Sequence, residues 1–234
     1  MLIVVRHGPT QYNTPGAHSE RIRGHMDIPL SEPGREIARL AGANVKETLK
    51  ENPEFPPLDE IYCSDLSRAV ETAEIVRDAI KSQLQKQELT EDPDYRPWDL
   101  GRLTGQLISE IQPEIDDLVN NPDEKAPGGE SLNAFLDRYY AKVSELVAEE
   151  DETCILVTHA RNCSAIEYFA RDPENTHDAG ADAFLKSPTS VDPGGLMIVR
   201  PNWTYDIINP EKKPQQPVNG KAAVKGLQQA ARTS

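Results

Sequence analysis

The sequence predicts an α/β fold: three layers, α/β/α, around a mostly parallel central sheet, with a small cap formed by inserted loops and helices. Three observations predict it. Short apolar runs at 2–5, 61–63, 154–157 and 196–199 have the length of buried strands, and three of the four are rich in β-branched residues. Longer segments between them carry apolar residues at helical spacing. Strands alternating with helices of that length pack as a parallel sheet covered on both faces.

The first run, LIVV at 2–5, leads directly into Arg6, His7 and Gly8. Residues 33–50 follow as a helix, with Ile37, Leu40, Ala41, Val45 and Leu49 on one face and Ser31 as its cap. The run at 61–63 precedes a second helix over 66–84, marked by Ala69, Ala73, Val76, Ile80 and Leu84. Residues 91–129 are rich in Pro, Asp and Gly and hold one short helix near 104–119. A further helix over 130–148 carries Leu132, Phe135, Leu136, Tyr139, Val143 and Leu146, and the run at 154–157 comes next. Residues 171–195 are polar and punctuated by Pro and Gly. Both 91–129 and 171–195 read as insertions able to fold over a site as a cap. The folded domain is expected over 1–209. The tail, 210–234, has too few large apolar residues to offset its ordering entropy and reads as flexible.

The chain has 234 residues and a formal net charge of −14. Such a surface repels nucleic acid and anionic membrane, so neither is an expected partner, and any anion site must be a local cationic pocket. Cys63, Cys154 and Cys163 form no close pair, which fits small buried hydrophobes in a reducing, cytoplasmic setting. No apolar run approaches a membrane span, and the N-terminal stretch is too short for a signal peptide.

Ligands of open α/β sheets sit beyond the carboxyl ends of the strands. Arg6 and His7 follow the first run. Ser64, Asp65 and, one helical turn on, Arg68 follow the second. Thr158, His159, Ala160 and Arg161 follow the third. Three strands thus bring two histidines and two or three arginines to one sheet edge. Each residue alone is unremarkable; their convergence is what carries meaning. Guanidinium forks match phosphate oxygens. They also favour the neutral form of a nearby imidazole, whose ordinary pKa is about 6.5. A neutral imidazole nitrogen is a nucleophile suited to phosphorus, and the arginines would stabilise the transferring phosphoryl group. A metal site is the rival reading of two histidines, but it sets guanidiniums beside a cation and has no obvious carboxylate partner.

At these residues the chain resembles the histidine phosphatase superfamily, the phosphoglycerate-mutase-like proteins. The motifs come in order: VVRHGPTQYN, RGHMDIPLSEPG, IYCSDLSRAVETA, PGGESL and ILVTHARN, spanning roughly residues 2–200. The resemblance implies His7 as the nucleophile that becomes phosphohistidine, with Arg6, Arg68 and His159 completing the phosphate pocket. It adds Asn13, Thr10, Arg23, Gly24 and Ala160 as phosphate or substrate contacts. The 128–131 loop either closes the pocket or starts a helix with Ser131 as cap. The resemblance implies no metal and no organic cofactor, in keeping with the lack of a G-x-x-x-x-G-K loop.

One segment departs from the family. Many members carry a glutamate as general acid shortly before a G-x-x-x-G turn. Here the segment reads YRPWDLGRLTGQ, and Pro97 holds the glutamate's place. Asp99 is the nearest carboxylate. Either it supplies the proton to the leaving oxygen, or it caps a turn or pairs with Arg96 or Arg102. Trp98 either walls the pocket or packs the cap.

The expected activity is metal-independent hydrolysis of a phosphate monoester, or of phosphohistidine, on a small molecule or a phosphoprotein. A phosphoglycerate mutase and a non-catalytic phospho-ligand binder are the alternatives. A mutase needs extra cations in the cap, and 91–129 offers only Arg96, Arg102 and Lys125, which favours hydrolysis.

Overall fold

The first apolar run divides its side chains by alternation, as a strand covered on both faces must. In the computed structural model, which describes residues 1–13, 21–171, 173 and 189–210, Leu2 and Val4 join one apolar cluster while Ile3 and Val5 join another on the opposite side of the sheet. In chain order the elements are β1 (Leu2–Arg6), α1 (Glu32–Glu51), β2 (Leu58–Cys63), α2 (Ser67–Ile80), β3 (Leu89–Glu91), α3 (Ile108–Asn120), α4 (Leu132–Ala148), β4 (Thr153–Thr158), α5 (Ala160–Phe169), β5 (Leu196–Val199) and β6 (Tyr205–Ile208).

The six strands form one mixed sheet in the order β3-β2-β4-β1-β5-β6. The first four in that order run parallel; β5 and β6 return antiparallel at the other edge. Helices α1 and α2 cover one face through Ala41, Val45, Ala69, Ala73 and Val76. Helices α4 and α5 cover the other through Phe135, Tyr139, Val143, Ile166 and Phe169. The three-layer arrangement is as the sequence predicts. Its consequence for function is that β1, β2 and β4, side by side and parallel, end on one edge.

Ser31 caps α1 by accepting the Gly34 N–H at 3.1 Å, as its position before the helix suggests. Ser131 caps α4 in the same way, accepting from Ala134 at 3.2 Å. The short helix expected from 104 begins later, at Ile108. Gly101 and Gly105 both have positive φ, +50° and +86°, and hold the preceding residues in a tight turn that a helix cannot continue. Helix α5 and the edge strands β3 and β6 were not expected from the sequence.

The segment 91–129, expected as a cap insertion, contains α3 and the turn before it. Most of 171–195, and the tail beyond residue 210, lie outside the described residues. All three cysteines are buried free thiols. Among the described residues no helix is long and apolar enough to cross a membrane.

Candidate active site

His7 leaves β1 with its backbone still in the ladder: its N–H donates to the Thr158 carbonyl at 2.9 Å. Its ring is pinned from within the chain. Nδ1 lies 2.6 Å from the Gly8 carbonyl oxygen, a contact that only a protonated Nδ1 makes favourably. The neutral ring therefore carries its lone pair on Nε2. Burial, then Arg68, hold this imidazole well below its ordinary pKa against the opposing Gly8 carbonyl bond, with lesser help from Arg6 and Arg23. His7 is neutral at physiological pH.

The turn after it is wedged tightly. The Gly8 N–H donates to Thr72 Oγ1 on α2 at 3.2 Å. A Cβ on Gly34 would sit 1.8 Å from the Pro9 carbonyl oxygen, so α1 starts with its backbone against the turn.

His159 follows β4 at the N-cap of α5. Its ring centroid is 5.1 Å from that of His7, with the planes inclined at 66°. Arg68 sits in the first turn of α2 and is 3 % exposed. Its Nε donates to His159 Nδ1 at 3.3 Å, and its terminal nitrogens donate to the carbonyls of Met26 at 2.7 Å and Gly24 at 3.2 Å. Because Nδ1 of His159 accepts, its proton is on Nε2. That buried Nε2–H has no hydrogen-bond partner among the described residues. Burial, Arg68 and His7 together hold His159 well below its ordinary pKa. Burial and the neighbouring Arg23 bring Arg68 down to about 10, so it stays charged at neutral pH.

Arg6 is braced by the segment before β5, donating to the Val191 carbonyl at 2.7 Å, while its buried Nε–H has no partner among the described residues. Arg23 makes one long contact with the Tyr12 carbonyl, at 3.4 Å. The loop that carries it is anchored by Asp27, which accepts from both the N–H and the hydroxyl of Ser67 at 2.8 Å and so caps α2.

These groups surround one cavity of about 230 Å³. Of the residues singled out from the sequence, Arg6, His7, Asn13, Arg23, Gly24, Arg68, His159 and Ala160 line it. Thr10 does not. It is buried, and its N–H and hydroxyl both donate to Asn13 Oδ1, at 2.9 and 3.1 Å, so it fixes the orientation of the asparagine that does line the cavity.

Asp99 does not line it either. Its Oδ1 accepts the Gly101 N–H at 2.9 Å, and its Oδ2 stands 3.8 Å from His25 Nδ1. It is the turn cap, and Arg96 pairs with Asp65 instead, through two contacts of 2.6 and 2.5 Å. The 128–131 loop packs on this turn: Glu130 accepts from the Asp99 N–H and from Arg138, and its carbonyl accepts from Trp98 Nε1. Trp98 both packs there and walls the cavity.

Two sets of lining residues were missed. Arg21 adds a guanidinium two residues before Arg23, a spacing that can be read from sequence, and Arg161, noted after the third run, lines the cavity as well. Ile22, Leu100, Ile108 and Ile115 add an apolar wall beside Trp98 and Pro97. Ile108 and Ile115 are seven apart, two turns of one helix face. No Asp or Glu is among the described lining residues.

Comparison with known proteins places this geometry in context. The model of the histidine phosphatase superfamily (branch 1) matches residues 2–191. Phosphoglycerate mutase-like protein 4 of Arabidopsis thaliana is 34 % identical over 165 residues, covering 68 % of this chain and 65 % of the relative, so the chain spans about two thirds of that protein's length. The structure of mycobacterial glucosyl-3-phosphoglycerate phosphatase with VO3 is 28 % identical, with a TM-score of 0.59, covering 84 % of this chain and 90 % of the other. The structure of open reading frame Rv3214 from Mycobacterium tuberculosis has a TM-score of 0.64 at 19 % identity over 94 % of this chain and 96 % of the other, a likeness of fold alone.

Proposed function

The chain belongs to the histidine phosphatase superfamily, and from that membership we propose that it hydrolyses phosphate monoesters through a phosphohistidine formed on Nε2 of His7. The observation that carries this reading is the 2.6 Å contact of His7 Nδ1 with the Gly8 carbonyl. It leaves Nε2 unprotonated, and a surrounding field of guanidiniums keeps it so.

In this reading the phosphoryl group lies between the two imidazoles. Nε2 of His7 attacks phosphorus as the ester oxygen departs. The His159 Nε2–H, which has no protein acceptor among the described residues, donates to a non-bridging oxygen. Arg6 adds its unpartnered Nε–H. Arg68 spends one N–H each on His159, Met26 and Gly24 and keeps two of its five for the phosphoryl oxygens. The N-terminus of α5, beginning at Ala160, favours an anion through its dipole. Arg68 and His159 are themselves buried, each 3 % exposed, and a donor held there is worth more than in solution. Water then attacks phosphorus, the P–N bond breaks, and phosphate leaves.

A mutase reading has one observation in its favour. Arg21, Arg23 and Arg161 supply cations from outside 91–129, so a scarcity of cations in that insertion does not exclude a second anion. Against it stands the apolar wall, which offers no partners for the hydroxyl and carboxylate of a glycerate. Measuring phosphate release alongside interconversion of 2- and 3-phosphoglycerate separates the two. Hydrolysis without interconversion is expected; interconversion that outpaces hydrolysis would reverse the assignment. Tight vanadate binding with no turnover of any ester would instead mark a binding protein.

A further inference from the structure

We propose that the substrate of this site is an aryl phosphate, a phosphate ester of a phenol-type hydroxyl; this rests on the phosphatase reading above. Two independent features of the cavity lead there. One is the wall facing the phosphoryl pocket, built from Ile22, Trp98, Leu100, Ile108 and Ile115. An aromatic ring loses water against such a wall and gains contact with the indole, whereas a polyol would bury hydroxyls without partners. The other is the leaving-group side. No Asp or Glu is among the described lining residues, and Pro97, which lines the cavity, has its carbonyl taken by His25 Nε2 at 2.7 Å. Asp99, the carboxylate nearest to Pro97 in sequence, spends Oδ1 on the Gly101 N–H and turns Oδ2 toward His25. A phenolate is a far weaker base than an alkoxide and departs with little proton assistance. The same cavity thus fits the ring of an aryl ester and suits its chemistry.

The steps balance without a carboxylic acid. The Nε2 lone pair of His7 forms the P–N bond as the P–O bond breaks, and the bonding pair leaves on the phenolate, which takes its proton from solvent. Water then attacks phosphorus, the P–N bond returns its pair to Nε2, and the released proton goes to solvent. The Gly8 carbonyl keeps its bond to Nδ1–H throughout.

Three esters on the whole protein test this: phenyl phosphate, benzyl phosphate and glycerol 3-phosphate. Benzyl phosphate keeps the ring but has an alkoxide leaving group, and glycerol 3-phosphate lacks the ring as well. Benzyl phosphate is expected to match phenyl phosphate in KM within a few-fold but to fall by about 100-fold or more in kcat. Glycerol 3-phosphate is expected to be worse in KM too, by about tenfold or more. Ile108→Asn with Ile115→Asn should reduce the phenyl-to-glycerol preference about tenfold, and Ile115→Leu should keep it.

A phosphotyrosine peptide forms a further arm. If it surpasses phenyl phosphate, the aryl ester belongs to a protein; if it is poorer, to a small molecule, and either supports the class. Equal kcat/KM for phenyl and glycerol phosphates, with phosphate still found on His7, would overturn the aryl assignment and leave the phosphatase reading intact. Absence of label on His7 with every ester would instead remove the phosphatase reading beneath it.

Discussion

Arg68 Nε donates to His159 Nδ1 at 3.3 Å, and by doing so it turns the other face of that imidazole into a buried donor aimed at nothing in the described protein. One guanidinium thereby does two tasks. It sets the tautomer of a histidine and supplies positive charge beside two rings, His7 and His159, whose centroids are 5.1 Å apart and which would hold a phosphoryl group between them.

Arg68→Lys keeps the charge and loses the fork. A single ammonium cannot reach His159, Met26 and Gly24 together. Turnover should fall by about 100–1,000-fold, the range for loss of a preorganised donor. Steady-state kinetics measure it; a lysine variant with unchanged kcat would show that the fork is dispensable.

Gly34→Ala tests the close approach of α1 to the His7 turn. The new Cβ meets the Pro9 carbonyl at 1.8 Å, and that neighbour is backbone, which cannot rotate away. We expect a loss of about 1–3 kcal/mol, as for other overpacked sites, together with reduced activity because Gly8 and His7 must shift. Urea denaturation reads the first. Stability equal to the parent would mean the turn has slack.

Acid should destabilise the protein earlier than carboxylate titration explains. His7 and His159 are both held well below their ordinary pKa by burial first and by Arg68 next. In the unfolded chain they protonate below about pH 6.5, whereas in the native state they stay neutral. Unfolding therefore takes up protons, and the stability that is full above pH 6.5 is lost as pH falls, with a slope approaching about 2.7 kcal/mol per pH unit for two such groups. Unfolding free energy measured between pH 7 and 5 follows this, and His159→Asn should roughly halve the slope. A flat profile in that window would contradict two neutral buried imidazoles.

The edge that carries the candidate site was legible because its polar residues sit at strand ends. A buried apolar run stopping at Arg6-His7, and another at Thr158-His159, mark both the fold and the pocket. Helix α5 was not legible, since Asn162, Cys163, Ser164, Ala165 and Ile166 are all buried and leave no polar face to show a period. Strands β3 and β6 are short edges with mixed residues. Asp99 shows the limit of spacing arguments. It lies two residues from the expected acid, yet the backbone turn at Gly101 claims its carboxylate. The apolar wall was hidden for another reason: Ile22, Trp98 and Ile115 come from three separate segments and meet only around the cavity of the folded chain.

The most direct test of the phosphohistidine proposal is to mix the enzyme with a 32P-labelled aryl phosphate, quench within one turnover, and map the label. We expect acid-labile, alkali-stable phosphate on His7, formed as fast as phenol is released and absent from His7→Ala. Phosphate release at the same rate with no label on position 7, or full turnover by His7→Ala, would contradict it.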